Sequence, residues 1–177
     1  MKKKTFNGFT LIEMLVSISI ISLISLVFLS YSRSQESVSN LNRYSQKLVN
    51  DLKEIRNNSL NMKDCLDIAS QRFVYCGWGI HFDVSNNSYF LFQDKCTSSN
   101  NGNRIYDISD RKLNSFKISH SVFLETNISD IVFEPPLPNV CFNGNCTSSG
   151  EVYLKTSNFK TKVNINPIGL ITFEYVQ

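Results

Sequence analysis

Histidine, tryptophan, proline and glycine are all scarce: the 177 residues hold two, one, four and seven of them. Histidine occurs only at positions 81 and 120, and with no Cys-x2-Cys pair and no HExxH motif zinc is the runner-up use of the five cysteines, so no metal or other cofactor is expected. No nucleophile elbow or phosphate-binding loop is present either. His81 and His120 lie in strand-like stretches and read as ordinary sheet residues. The chain is therefore read as no enzyme, since a membrane-anchored hydrolase would need one of them beside a nucleophile in a cleft. Excess charge is lacking too. Apart from Lys2, Lys3 and Lys4, basic and acidic residues balance, and no Lys or Arg follows Lys162, so no nucleic-acid partner is expected.

What is present is concentrated at the N-terminus. From Phe9 to Tyr31 the chain reads FTLIEMLVSISIISLISLVFLSY, with Glu13 as its one charge, a length sufficient to cross roughly 30 Å of hydrocarbon as a helix. The lysines before it follow the positive-inside rule, which keeps the N-terminus cytoplasmic and sends the remainder across the membrane. All five cysteines (65, 76, 96, 141 and 146) fall on that extracytoplasmic side, where disulfides persist, and an odd number leaves at least one unpaired. Residues 28 to 36, FLSYSRSQE, make a poor secretory cleavage site. An acid inside an apolar helix costs about 2 to 3 kcal/mol on insertion scales, so Glu13 calls for a partner.

The stretch KKKTFNGFTLIEMLVSISII resembles the class III leader of type IV prepilins and pseudopilins. The resemblance implies cleavage after Gly8 by a membrane-bound prepilin peptidase and methylation of the new N-terminal residue, Phe9. It also implies that Glu13 pairs with the freed amine of a neighbouring subunit. In low dielectric such a pair is attractive while the isolated carboxylate is costly, so Glu13 acts as a registry device in a helical filament. The implied partners are prepilin peptidase, other pilin or pseudopilin subunits, a platform protein, an assembly ATPase and the membrane.

From Arg33 to Met62 there is neither Pro nor Gly, and Val38, Leu41, Leu48, Leu52 and Ile55 recur at helical steps, which predicts an amphipathic helix continuing the anchor. Residues 9 to 62 would form one rod about 80 Å long. Beyond Lys63 come short stretches of strand type: Phe73–Asp83, Ser88–Gln93, Lys112–Ile118, Val122–Leu124, Ile131–Glu134, Glu151–Thr156, Thr161–Ile165 and Ile168–Val176. Two-residue turns are expected at Asn86-Asn87 and at Asn143-Gly144, and Pro135, Pro136 and Pro138 mark a stiff loop. The divisions are a leader (1–8), a transmembrane half-helix (9–32), an amphipathic half-helix (33–62) and a β-rich head (63–177). The expected fold is α+β, a long helix packed on an antiparallel head as in pilins. GWGIHFD, YFLFQD and VNINPIGLITFE make the head resemble GspH/FimT-type minor pilins and pseudopilins.

In CFNGNC, the Asn143-Gly144 turn places Cys141 directly opposite Cys146 at a non-hydrogen-bonded position, where a disulfide fits. The same counting about Asn86-Asn87 brings Cys76 within one residue of the position opposite Cys96. Cys65 is unpaired or displaces either partner. Asp94, Asn103 and Asp107 flank a loop with oxygen ligands in the manner of a calcium site, although Cys96, Thr97 and Ser98 dilute the pattern and a polar loop is favoured. Trp78, between two glycines, reads as a core residue. The function implied is that of a structural subunit, of the minor kind, of a type IV pilus or type II secretion pseudopilus, anchored in the cytoplasmic membrane and then part of a surface or periplasmic filament. The alternative keeps the anchor and makes the head a pilus-tip adhesin or DNA-uptake module.

Overall fold

The computed structural model describes residues 9–63, 66–67, 72–73, 75–96, 102–135, 139–146 and 149–176. The chain divides into two units, Met1–Ser37 and Val38–Gln177, and the helix α1 (Leu11–Leu60) contributes to both. In the first unit, Leu11–Phe28 has a mean hydropathy of 2.5 and its side chains are exposed, so this segment is long and apolar enough to cross a membrane. Its serines do not spoil it. The hydroxyls of Ser17, Ser19, Ser22 and Ser25 donate to the carbonyls of Glu13, Leu15, Ile18 and Ile21 at 2.7 to 2.9 Å, satisfying them within the helix.

In the second unit α1 buries one stripe: Leu41, Ser45, Leu48, Leu52, Ile55 and Ser59, alternating steps of four and three. Two stripe positions are serines, and both are used. Ser45 Oγ lies 2.8 Å from Thr161 Oγ1, and Ser59 Oγ donates to the carbonyl of Phe133 at 2.7 Å. The helix stops without a glycine. Lys63 N–H donates to Asn58 O and Met62 N–H to Ser59 O, a Schellman cap with Met62 at φ 47°.

Among the described residues eleven strands follow: β1 (Leu66–Asp67), β2 (Arg72–Phe73), β3 (Tyr75–Asp83), β4 (Ser88–Lys95), β5 (Arg111–Lys117), β6 (Phe123–Glu125), β7 (Asp130–Glu134), β8 (Asn139–Phe142), β9 (Gly150–Lys155), β10 (Lys160–Ile165) and β11 (Ile171–Val176). β1 and β2 form a minimal ribbon. The others make a five-stranded sheet, β5-β4-β3-β7-β8, and a four-stranded sheet, β11-β10-β9-β6, both antiparallel. Trp78, Ile80 and Phe133 from the larger sheet and Leu124, Val152, Leu154 and Val163 from the smaller share one core with the α1 stripe. The architecture is therefore α+β, as the sequence implies.

Three details differ from the sequence reading. β8 and the β1–β2 ribbon were not anticipated, because each is short and β8 follows the Pro135 to Pro138 stretch. The β3–β4 connection is a four-residue loop, Val84 to Asn87, closed by the Asp83↔Ser88 pair, and not a two-residue Asn86-Asn87 turn. Its physical cause is Asn87. This residue takes φ 50°, and its side chain accepts from Leu124 N–H at 2.8 Å and donates to Val122 O at 2.7 Å, tying the loop to the start of β6. The Asn143-Gly144 turn does form, with φ of 49° and 81°, the type I′ combination.

The face of the larger sheet turned away from α1 is also covered. Phe90, Phe92 and Val132 are buried there beneath Tyr106. Gly79 makes this possible, since a Cβ at that position would sit 2.5 Å from the Phe92 ring.

Candidate functional site

Gly8 lies outside the described residues. Phe9 is 80% exposed, and the helix begins two residues later. Thr10 is the N-cap: Glu13 N–H donates to Thr10 Oγ1 at 3.3 Å, while the N–H and hydroxyl of Thr10 both donate to Glu13 Oε2, at 3.0 and 2.9 Å. This reciprocal pair is a capping box, with the acid in the first turn where the helix dipole favours negative charge. The carboxylate thus has local N–H and O–H donors and stands at the exposed helix start. Thr10 was not singled out in the sequence, although the T-x-x-E spacing of Thr10 and Glu13 is a legible signal.

In the head, Cys141 and Cys146 form a disulfide with Cα atoms 3.9 Å apart, beside the closing pair Phe142 and Asn145. Asn143 holds this hairpin against β7, accepting from the N–H groups of Ser129 and Asp130 at 2.8 and 3.0 Å. Cys96 is disulfide-bonded as well. Cys65 and the side chain of Cys76 lie outside the described residues, so the expected Cys76–Cys96 pairing does too. Glu134 approaches Cys141 and Cys146 in a metal-like cluster, but both sulfurs are spent in the disulfide and thiolates are what metals bind.

The loop considered for calcium is folded by its own acids. Asp94, 1% exposed, accepts from the N–H groups of Asn103 and Arg104 at 3.3 and 2.9 Å. Burial pushes its carboxyl up to about 6, against the opposing pull of those N–H groups. Asp107 accepts from Ser109 and from Asn103 Nδ2, which hold it below the usual range. Asp110 accepts from Lys95 and Asp107, and burial raises it. These oxygens point to backbone N–H groups and to the side chains of Asn103 and Ser109, as a polar loop requires. His81 Nδ1 sits 2.8 Å from Asp130 and its ring stacks on Phe90, while His120 is exposed and far along the chain from it. Trp78 is core, its Nε1–H donating to Lys63 O at 3.0 Å.

Residues 3–29 match the prokaryotic N-terminal methylation motif. Among solved structures, the minor pseudopilin EpsH from the type 2 secretion system of Vibrio cholerae has a similar fold, with a TM-score of 0.51 and 9% sequence identity over 77% of this chain and 97% of that one. The fold is pilin-like, and the methylation motif at residues 3–29 is a feature independent of it. A search of curated protein sequences yields no match.

Proposed function

We propose that this pilin-like chain is a minor subunit of a type IV pilus or a type II secretion pseudopilus, with a structural and not an enzymatic role. The observation that carries the reading is the methylation motif at residues 3–29 running directly into the helix of a pseudopilin-like fold. Prepilin peptidase cuts after Gly8 and methylates Phe9. The span around Leu11–Phe28 anchors the subunit in the cytoplasmic membrane with the head outside, and a platform protein and ATPase draw it into the filament beside other subunits.

Glu13 fits this role chemically. Cleavage leaves an amine on Phe9, and the exposed Glu13 carboxylate is the group that a neighbour's amine would meet at the helix start. Intact mass spectrometry of the protein purified from membranes tests the proposal. The expected species starts at Phe9, carries one extra methyl group and lacks four hydrogens, two for Cys141–Cys146 and two for the Cys96 disulfide. An uncut chain from cells with active prepilin peptidase would overturn it.

A further inference from the structure

A cleft of about 670 Å³ opens in the second unit between α1, at residues 39 to 50, and the end of β5, at residues 115 to 118. Its charged lining residues are Arg43, Lys47 and Lys117, and no carboxylate lines it. Asp51 pairs with Lys47 at 2.6 Å and accepts from the Tyr89 hydroxyl at 2.6 Å, so Arg43 and Lys117 are the cations that give the cleft its net positive charge. Phe116 forms an aromatic wall, with Lys47 Nζ 3.7 Å from its ring centre. A cationic cleft with an aromatic wall suits an acidic segment bearing an apolar side chain.

The same chain carries such a segment. In the turn Asp107-Ile108-Ser109-Asp110, Ile108 is 102% exposed, the most exposed large apolar side chain among the described residues, and an aspartate stands on either side. Cleft and turn lie on opposite faces of the five-stranded sheet. Tyr89 faces α1 at the cleft, while Tyr106, beside the turn, packs on Phe90 and Phe92 of the other face. They therefore cannot meet within one copy.

We infer that the Asp107–Asp110 turn of one copy seats Ile108 in the Arg43–Lys47–Lys117 cleft of a second copy. Such a contact is heterologous, and where its rotation does not close a ring it extends as an open helix, the symmetry of a filament. The inference rests on the subunit reading above and names a head-to-head contact for it.

Sedimentation of the full chain in detergent tests it. Concentration-dependent association is expected, weakened at least about tenfold by Ile108→Lys and equally by the double change Arg43→Glu with Lys117→Glu. Mixing the two variants restores pairwise association, because the unaltered turn of the cleft variant meets the unaltered cleft of the Ile108→Lys chain. Ile168→Lys, at an exposed apolar site elsewhere, leaves association unchanged. A wild-type chain that stays monomeric, association indifferent to Ile108→Lys, or a mixture that fails to recover would each overturn the contact. A chain processed at Phe9 with any of these results keeps the subunit reading and loses the contact. An uncut chain showing the rescue does the reverse.

Discussion

Met62 is where a single side chain sits at odds with its backbone. It occupies the C′ position of the α1 cap at φ 47°, a conformation that strains a side chain and suits glycine. Met62→Gly is expected to stabilise the head by about 1 kcal/mol, read as a raised urea midpoint with unchanged slope. Asp94 makes a pH-dependent contribution. Its carboxyl titrates near 6 in the folded chain against 3.8 as a free group, so the folded state binds the extra proton between those values. Stability from this group is fully present below 3.8 and is lost as pH rises through about 6; Asp110 shifts in the same sense. Asp83, Asp107, Glu125 and Glu151 shift downward, so their stability is lost only in more acidic solution. The melting temperature should therefore rise from pH 7 to pH 5, and Asp94→Asn should flatten that slope. A slope unchanged in the variant would place its origin elsewhere.

At the level of elements, polar residues carry information that an apolar pattern conceals. Leu41, Leu48, Leu52 and Ile55 revealed the buried stripe of α1, yet Ser45 and Ser59 complete it and no hydrophobic count finds them. Both bring the helix close to a sheet through hydrogen bonds to Thr161 and Phe133. Ser45→Leu, which would perfect the apolar stripe, is expected to cost about 1 to 3 kcal/mol by forcing helix and β10 apart, measurable by denaturant unfolding. The longer strands were legible because their alternation matches burial, as in β9 and β10. The Asn143-Gly144 turn and its disulfide were legible because that dipeptide fixes the register by itself. The Val84 to Asn87 loop was not, because its length is set by the bonds of Asn87 to residues 122 and 124, which are remote in sequence. Thr10 is obscured for a different reason: within a lipid-spanning stretch Glu13 reads as a buried charge, and not as half of a cap.

For the molecule as a whole, the capping box and the proposed pairing of Glu13 make separable demands on one side chain. Capping needs an oxygen that accepts from Thr10, which a glutamine also offers. Pairing with a neighbour's amine needs negative charge. Glu13→Gln therefore preserves the helix start and lowers the cost of membrane insertion, while removing the attraction between subunits. The variant is expected to accumulate in membranes, to be cut after Gly8, and to enter sheared filaments at least about tenfold less than the wild-type chain. Thr10→Ala makes the complementary change, stripping the cap's hydroxyl while leaving the charge, and is expected to retain incorporation better than Glu13→Gln. Equal incorporation of Glu13→Gln and wild type would show that the carboxylate serves the helix alone, and the association of subunits would then have to be carried by the apolar helix and by contacts between heads.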